Sequence, residues 1–273
     1  ANEHFVSVVK LPIPLKEEVI IGTNFDIRPL IKTEQQNEYY YILSVSRQKI
    51  RLIEVLSNRA VVEINNEDFP YENTDYYTTD PIKLRQDVFI DNLIKEFFND
   101  ADKLLRNYII TNPYPLVLMG DTKSVSYFVE QMDDKSLVVS HIEGNYDNAP
   151  LHEIINVAKP AIEKFKQDKQ NEYQNIIGAA ISQNLLITDI DEIYNQSKDG
   201  NADTLFIGTN YSLRGTIDDE GHIEIDNSEE NGLTFNDVTI ELIRNVYSNS
   251  GKVIFLNDDL LTDYKGIVMV KRY

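Results

Sequence analysis

Short apolar runs rich in β-branched and aromatic residues open the chain: "HFVSVVK" (4–10), "EVIIG" (18–22), "YYYILSVS" (39–46), "KIRLIEV" (49–55) and "AVVEI" (60–64). Each is bounded by Pro, Gly, Asn or Ser, which is the pattern of strands. The turn at Arg47-Gln48 reads as a hairpin whose second strand sets Lys49, Arg51 and Glu54 outward and Ile50, Leu52 and Ile53 inward, so one sheet face is expected to be wet. The periodicity then changes. Asp80-Pro81 has the form of a helix cap and first turn, and Phe89, Leu93, Phe97, Ala101, Leu104 and Tyr108 recur at helical spacing. "PLVLMG" (115–120) predicts a buried strand, followed by a helix through Met132 and a strand at "SLVVSHI".

A long helical stretch covers roughly 149–185, with Leu151, Ile154, Ile155, Ala158, Ile162 and Phe165 on one side and Ile176, Ile177, Ala180 and Ile181 continuing it. Pro160 should kink it. The last third repeats the strand and helix grammar: strands at 203–208, 211–217 and 222–227, a helix from Phe235 ended by a left-handed Gly251, and strands at "KVIFLN" and "GIVMVKRY". The expected fold class is α/β: two layered domains joined by a long kinked helix. The expected partition is a segment at 1–35, a domain at 36–148, a connecting helix at 149–185 and a second domain at 186–273.

Charge restricts the partners. Against 26 Lys and Arg stand 45 Asp and Glu, a net −19, and such a field repels nucleic-acid phosphates and anionic lipids. Any ribosome or tRNA contact must therefore come from a local patch, whereas a basic protein partner suits the field. No Lys or Arg occurs from Gly215 to Ile243. The absence of cysteine excludes disulfides, thiolate metal sites and cysteine nucleophiles. No run is apolar enough to span a bilayer and no signal peptide is seen, so a soluble cytoplasmic protein is expected. The chain opens at Ala1 without an initiator methionine, as a trimmed segment would.

Candidate chemistry is sparse. Asp189, Asp191 and Glu192 read as the acidic start of a helix, and Glu229 and Glu230 lie in an incomplete calcium-loop pattern. No nucleophile elbow or glycine-rich phosphate loop occurs, and no cofactor is expected. Arg47 and Arg51 cluster at the hairpin as candidate binding residues. "HIEGNYDNAPLHEI" (141–154) gathers Glu143, Asn145 and His152 where a strand gives way to a helix. A turn followed by a helix cap is its structural alternative.

The order of "HFVSVVKLPIPLKEEVIIGTNFDIRPLI", "YYYILSVSRQKIRLIEV", "FFNDADKLLRNYIITNPYPLVLMG", "IEGNYDNAPLHEI", "NADTLFIG" and a terminal "KRY" resembles the bacterial branch of the archaeo-eukaryotic release factor superfamily, most of all its family 3. The resemblance implies a middle domain related to the peptidyl-tRNA-hydrolysing domain of eukaryotic termination factors and Pelota. It also implies a C-terminal domain similar to kink-turn-binding ribosomal proteins, and an N-terminal domain represented by its last portion, residues 1 to about 35. In active termination factors a Gly-Gly-Gln tip joins strand to helix. Here that position is taken by "FPYENTDYYTTDP" (69–81), which has no glycine, and Gln86 follows Arg85. The resemblance implies a role in ribosome rescue or translation quality control without hydrolysis, with Tyr76, Tyr77 and Arg85 as tip contacts. Two other readings stay open: a peptidyl-tRNA or RNA hydrolase using Gln86, Glu143 or His152 with a recruited metal, and an acidic interaction module docking a basic partner at 218–230.

Overall fold

The computed structural model describes residues 6–9, 19–21, 25–35, 39–56, 59–74, 87–218, 220–225, 233–235 and 237–273. In chain order the elements are β1 (Val19–Ile21), α1 (Arg28–Gln35), β2 (Tyr39–Val45), β3 (Lys49–Leu56), β4 (Arg59–Glu63), β5 (Tyr71–Glu72) and α2 (Asp87–Ile109). There follow β6 (Leu116–Gly120), α3 (Thr122–Gln131), β7 (Val138–Glu143), α4 (Leu151–Ser182), β8 (Leu186–Ile187), α5 (Ile190–Lys198) and β9 (Ala202–Gly208). The chain ends with β10 (Gly215–Ile217), β11 (Ile223–Ile225), β12 (Leu233–Phe235), α6 (Val238–Ser248), β13 (Lys252–Leu256), a 3₁₀ helix (Asp258–Tyr264) and β14 (Ile267–Lys271). These divide into two compact units, one of residues 1–36 with 168–273 and one of residues 37–167. That cut differs from the four-part partition expected above, because α1 packs with the C-terminal strands and α4 contributes residues to both units.

The 37–167 unit is built on a sheet in the order β4-β3-β2-β6-β7, with β5 added to β3. Strands β2, β6 and β7 run parallel, and β3 is antiparallel to β2. Alternate residues of β2 and β3 serve opposite faces. Tyr41, Leu43, Val45, Ile50 and Leu52 pack under Ile94, Phe97, Phe98, Ala101, Leu105 and Ile109 of α2 and Val125 and Phe128 of α3. Tyr40, Ile42, Ile53 and Val55 pack under Ile154, Ile155, Ala158 and Ile162 of α4. The expected wet face is thus covered by a second helix layer, and Arg51, expected outward, is buried. The buried stripe of α2 includes the expected Phe97 and Ala101 and widens to Ile94, Phe98, Leu105 and Ile109, with the expected Leu104 and Tyr108 half-buried at its margin.

The other unit carries a sheet in the order β13-β9-β14-β8. One face packs Leu205, Ile207, Val253 and Met269 against α1, α5 and α6; the other packs Phe206 and Val268 against Ile177 and Ala180 of α4 and Leu261 of the 3₁₀ helix. Ile176 and Ile181, expected to continue the apolar side of α4, are exposed. α1, which the apolar pattern did not predict, is held by long polar side chains. Arg28 pairs with Asp26 at 2.8 Å and with Asp237 at 2.7 Å, and Lys32 Nζ donates to the Thr209 carbonyl at 2.6 Å. The Gln35 side chain donates to the Val253 carbonyl and accepts from Phe255 N, covering the open edge of β13. Of the strand expected at 4–10, the described residues 6–9 carry no regular structure and no partner strand is described for them. The strand expected at 211–217 is confined to β10. After α6 the left-handed residue is Ser250, at φ 58°, not Gly251. Gly251 is required for space, because a Cβ there would lie 2.7 Å from Val246 Cγ1.

Candidate functional site

Of the sequence candidates, the described ones, Arg47, Arg51, Glu143, Asn145 and His152, lie toward the C-terminal edge of β2, β6 and β7 in the 37–167 unit. This edge forms because a parallel strand ends where its helix begins, leaving loop side chains and helix N–H groups together. Gly120 ends β6 against the Val45 carbonyl of β2, at a point where a Cβ would approach that oxygen to 2.2 Å. The next residue, Asp121, caps α3 by accepting from Lys123 N at 3.1 Å and Ser124 N at 3.0 Å. Burial opposes its charge, but the hydrogen bonds from Ser124 and Lys123 and the nearby charge of Arg47 hold its carboxyl below the ordinary value.

Glu143 closes β7 opposite Gly120, and its Oε1 accepts from Thr122 Oγ1 at 3.0 Å. Its backbone carbonyl accepts from the Tyr146 hydroxyl at 3.2 Å. Asn145 Oδ1 accepts from Asp147 N at 3.2 Å. His152 is exposed on the first turn of α4. The turn-and-cap alternative therefore accounts for the Asn145 side chain, while the Thr122–Glu143 bond ties the start of α3 to the end of β7.

Arg51 is the residue whose role changes most. It is 7% exposed, and its Nε donates to Glu63 at 2.7 Å. One terminal nitrogen donates to the carbonyls of Tyr146 at 2.6 Å and Ala149 at 2.9 Å. Arg51 and the 145–149 loop were separate candidates in the sequence; here the guanidinium pins the loop that leads into α4. A cation so surrounded is a structural clasp and offers little to a ligand. Arg47 is half-buried at the hairpin tip, and its carbonyl accepts from Asn73 Nδ2 at 3.0 Å. Tyr76, Tyr77, Arg85 and Gln86 lie outside the described residues.

Sequence reasoning passed over Asp121, although an Asp between a buried strand and an amphipathic run is a cap signal. Thr122 gave no such signal, because its partner is supplied by the β6 and β7 register. Among the described residues no group of three or more His, Asp or Glu side chains could hold a metal ion. Nor is any described helix long and apolar enough to cross a membrane.

The fold has close counterparts among solved structures. The chain matches one in a model of ribosome-bound archaeal Pelota and ABCE1 with a TM-score of 0.58 at 14% identity, over 90% of this chain and 66% of that one. It matches Dom34 of S. cerevisiae, a translation termination-like factor involved in RNA quality control pathways and interacting with Hbs1, with a TM-score of 0.57 at 11% identity, over 86% and 64%. The chain thus spans just under two thirds of the length of each. At these identities the likeness is one of fold, a mixed α/β fold similar to that of Pelota. The model of bacterial archaeo-eukaryotic release factor family 3 matches residues 39–201, more than half of the chain, and the protein belongs to that family. No curated protein matches the sequence.

Proposed function

We propose that this protein acts in ribosome rescue or translation quality control as a release-factor-like factor that does not itself hydrolyse peptidyl-tRNA. The observation that carries the proposal is membership of the release factor family across residues 39–201. The Pelota-type fold supports it, since the relatives of that fold include a ribosome-bound protein and a factor of RNA quality control. On this reading residues 37–167 stand for the middle domain and the C-terminal residues for the domain similar to kink-turn-binding ribosomal proteins. The non-hydrolytic part rests on the sequence: residues 69–86 contain no glycine, so the backbone between strand and helix lacks the freedom a Gly-Gly-Gln tip uses to approach an ester. Tyr76, Tyr77 and Arg85 are the contacts we assign to that tip, and Glu143, Asn145 and His152 the polar cluster we assign to the same domain.

The test is sedimentation with ribosomes over a salt series, paired with release of labelled peptide from a stalled complex. Salt-sensitive co-sedimentation without peptide release is expected, because the net −19 confines any RNA contact to a local patch. Failure to sediment at any salt overturns the ribosomal role. Peptide release that disappears in Gln86→Ala or Glu143→Ala would instead establish a hydrolase.

A further inference from the structure

The opposite edge of the same sheet carries groups that the candidate site does not use. Register places Val62 of β4, Glu54 of β3 and Tyr41 of β2 directly across from one another, with Leu56 opposite Tyr39 in the neighbouring row. Side chains at paired positions share a face, and this face is the one that α2 covers further along. The sheet outruns that cover. Tyr39, Glu54, Leu56 and Tyr114 are half-buried, while Val62 is 42% and Ile110, just past α2, 78% exposed.

Two features make this shelf unlike ordinary surface. The rings of Tyr39 and Tyr114 stack at 5.0 Å with 15° between their planes, and Tyr41 tilts against Tyr114 at 5.4 Å. Beside them Glu54 receives no hydrogen bond or ion pair among the described residues, and burial pushes its carboxyl above the ordinary range. Its charge is close enough to contribute, after burial, to raising both neighbouring phenols, and Tyr41 is pushed up to about 12. A half-buried carboxylate without a partner weakens the fold that holds it. At the other edge, by contrast, the carboxylates of Glu63, Asp121 and Glu143 each accept a hydrogen bond.

We propose that this shelf binds an extended basic segment of a protein partner, with an arginine guanidinium laid on the tyrosine stack and paired with Glu54. Arginine fits better than lysine because its planar, weakly hydrated fork stacks on aromatic rings and meets a carboxylate with two parallel N–H groups. The exposed Val62 and Ile110 supply apolar flanks, and tyrosine-rich surface with a polar centre is what protein interfaces select. A nucleic acid is disfavoured by Glu54 and by the net −19. The inference stands on the 37–167 unit alone and holds whether or not the protein acts on ribosomes.

The test is fluorescence anisotropy of three labelled probes against the full chain at physiological salt: an arginine–glycine peptide, a lysine–glycine peptide of equal length and charge, and a uridine oligonucleotide. The arginine peptide should bind most tightly. Glu54→Gln, which keeps the shape of the side chain, should weaken it roughly tenfold, as expected for one charge-assisted hydrogen-bonded pair. Tyr114→Leu should weaken it several-fold. Glu163→Gln, which removes an exposed charge of α4, should change nothing. Equal losses in Glu54→Gln and Glu163→Gln would reduce the attraction to overall charge and overturn the proposal. Equal binding of the two peptides, or preferred binding of the oligonucleotide, would overturn it as well.

Discussion

The two ends of one sheet in the 37–167 unit treat polar groups in opposite ways. At the C-terminal end Arg51, Asp121 and Glu143 are each bonded to protein atoms. At the other end Glu54 has no bonded partner among the described residues and Tyr39 and Tyr114 stack in part exposure. The contrast teaches that conspicuous charged motifs need not mark the available surface. Among the described groups that drew attention in the sequence, the side chains of Arg51, Glu143 and Asn145 are engaged within the fold. The free capacity lies with a glutamate and two tyrosines embedded in strand-like runs.

The comparison breaks most visibly at Arg51. Arg51→Met leaves Glu63 and the carbonyls of the 146–149 loop without their donor, and a loss of about 3–5 kcal/mol is expected in urea unfolding. A loss under about 1 kcal/mol would mean the clasp is not structural. Gly120→Ala comes next: a Cβ pressed on the Val45 carbonyl should cost about 1–3 kcal/mol in the same measurement. Asp121→Ala removes a helix cap and should cost about 1 kcal/mol at neutral pH. Because the folded carboxyl of Asp121 is held below its ordinary value, its contribution is present above the unfolded pKa. It is lost as pH falls through the folded one. Thermal melts of wild type and variant should therefore converge in acid.

Glu54→Gln is the smallest effect and has the opposite sign. Burial raises the folded carboxyl, so its ionisation weakens the fold as pH rises through that value. The variant should melt at or slightly above wild type at neutral pH, and this advantage should vanish in acid, where both side chains are neutral. The groups facing Glu54, Tyr41 and Tyr114, are neutral across that range, since phenols ionise only in alkali and these two are raised further. A clear loss of stability at neutral pH would show that Glu54 has a partner and would erase the difference between the two ends.

Much of this was readable along the chain. Strands β2, β3 and β6 are dense with β-branched and aromatic residues, and their assignment required only local pattern. The family was readable from segment order, since that order survives where single motifs do not. What periodicity could not give was the second cover over the sheet: the Ile154, Ile155 and Ala158 stripe of α4 was visible, but not which face of which sheet it would meet. Arg51 was misassigned for that reason. Alternation says that Arg51 and Leu52 point to opposite faces, and only the placement of α4 says that both faces are buried. α1 was missed because its attachment relies on Arg28, Lys32 and Gln35, polar residues that carry no apolar signature.

By itself the sequence determined the α/β class, the acidic field that limits partners, and the missing glycines between residues 69 and 86. All three follow from residue identity and nearest-neighbour spacing. Tertiary structure alone decided which charges are consumed and which remain. A side chain's availability depends on atoms brought to it from distant positions: Glu63 and Tyr146 for Arg51, and Thr122 for Glu143. It equally depends on the end of α2, which leaves the tyrosines and Glu54 partly uncovered.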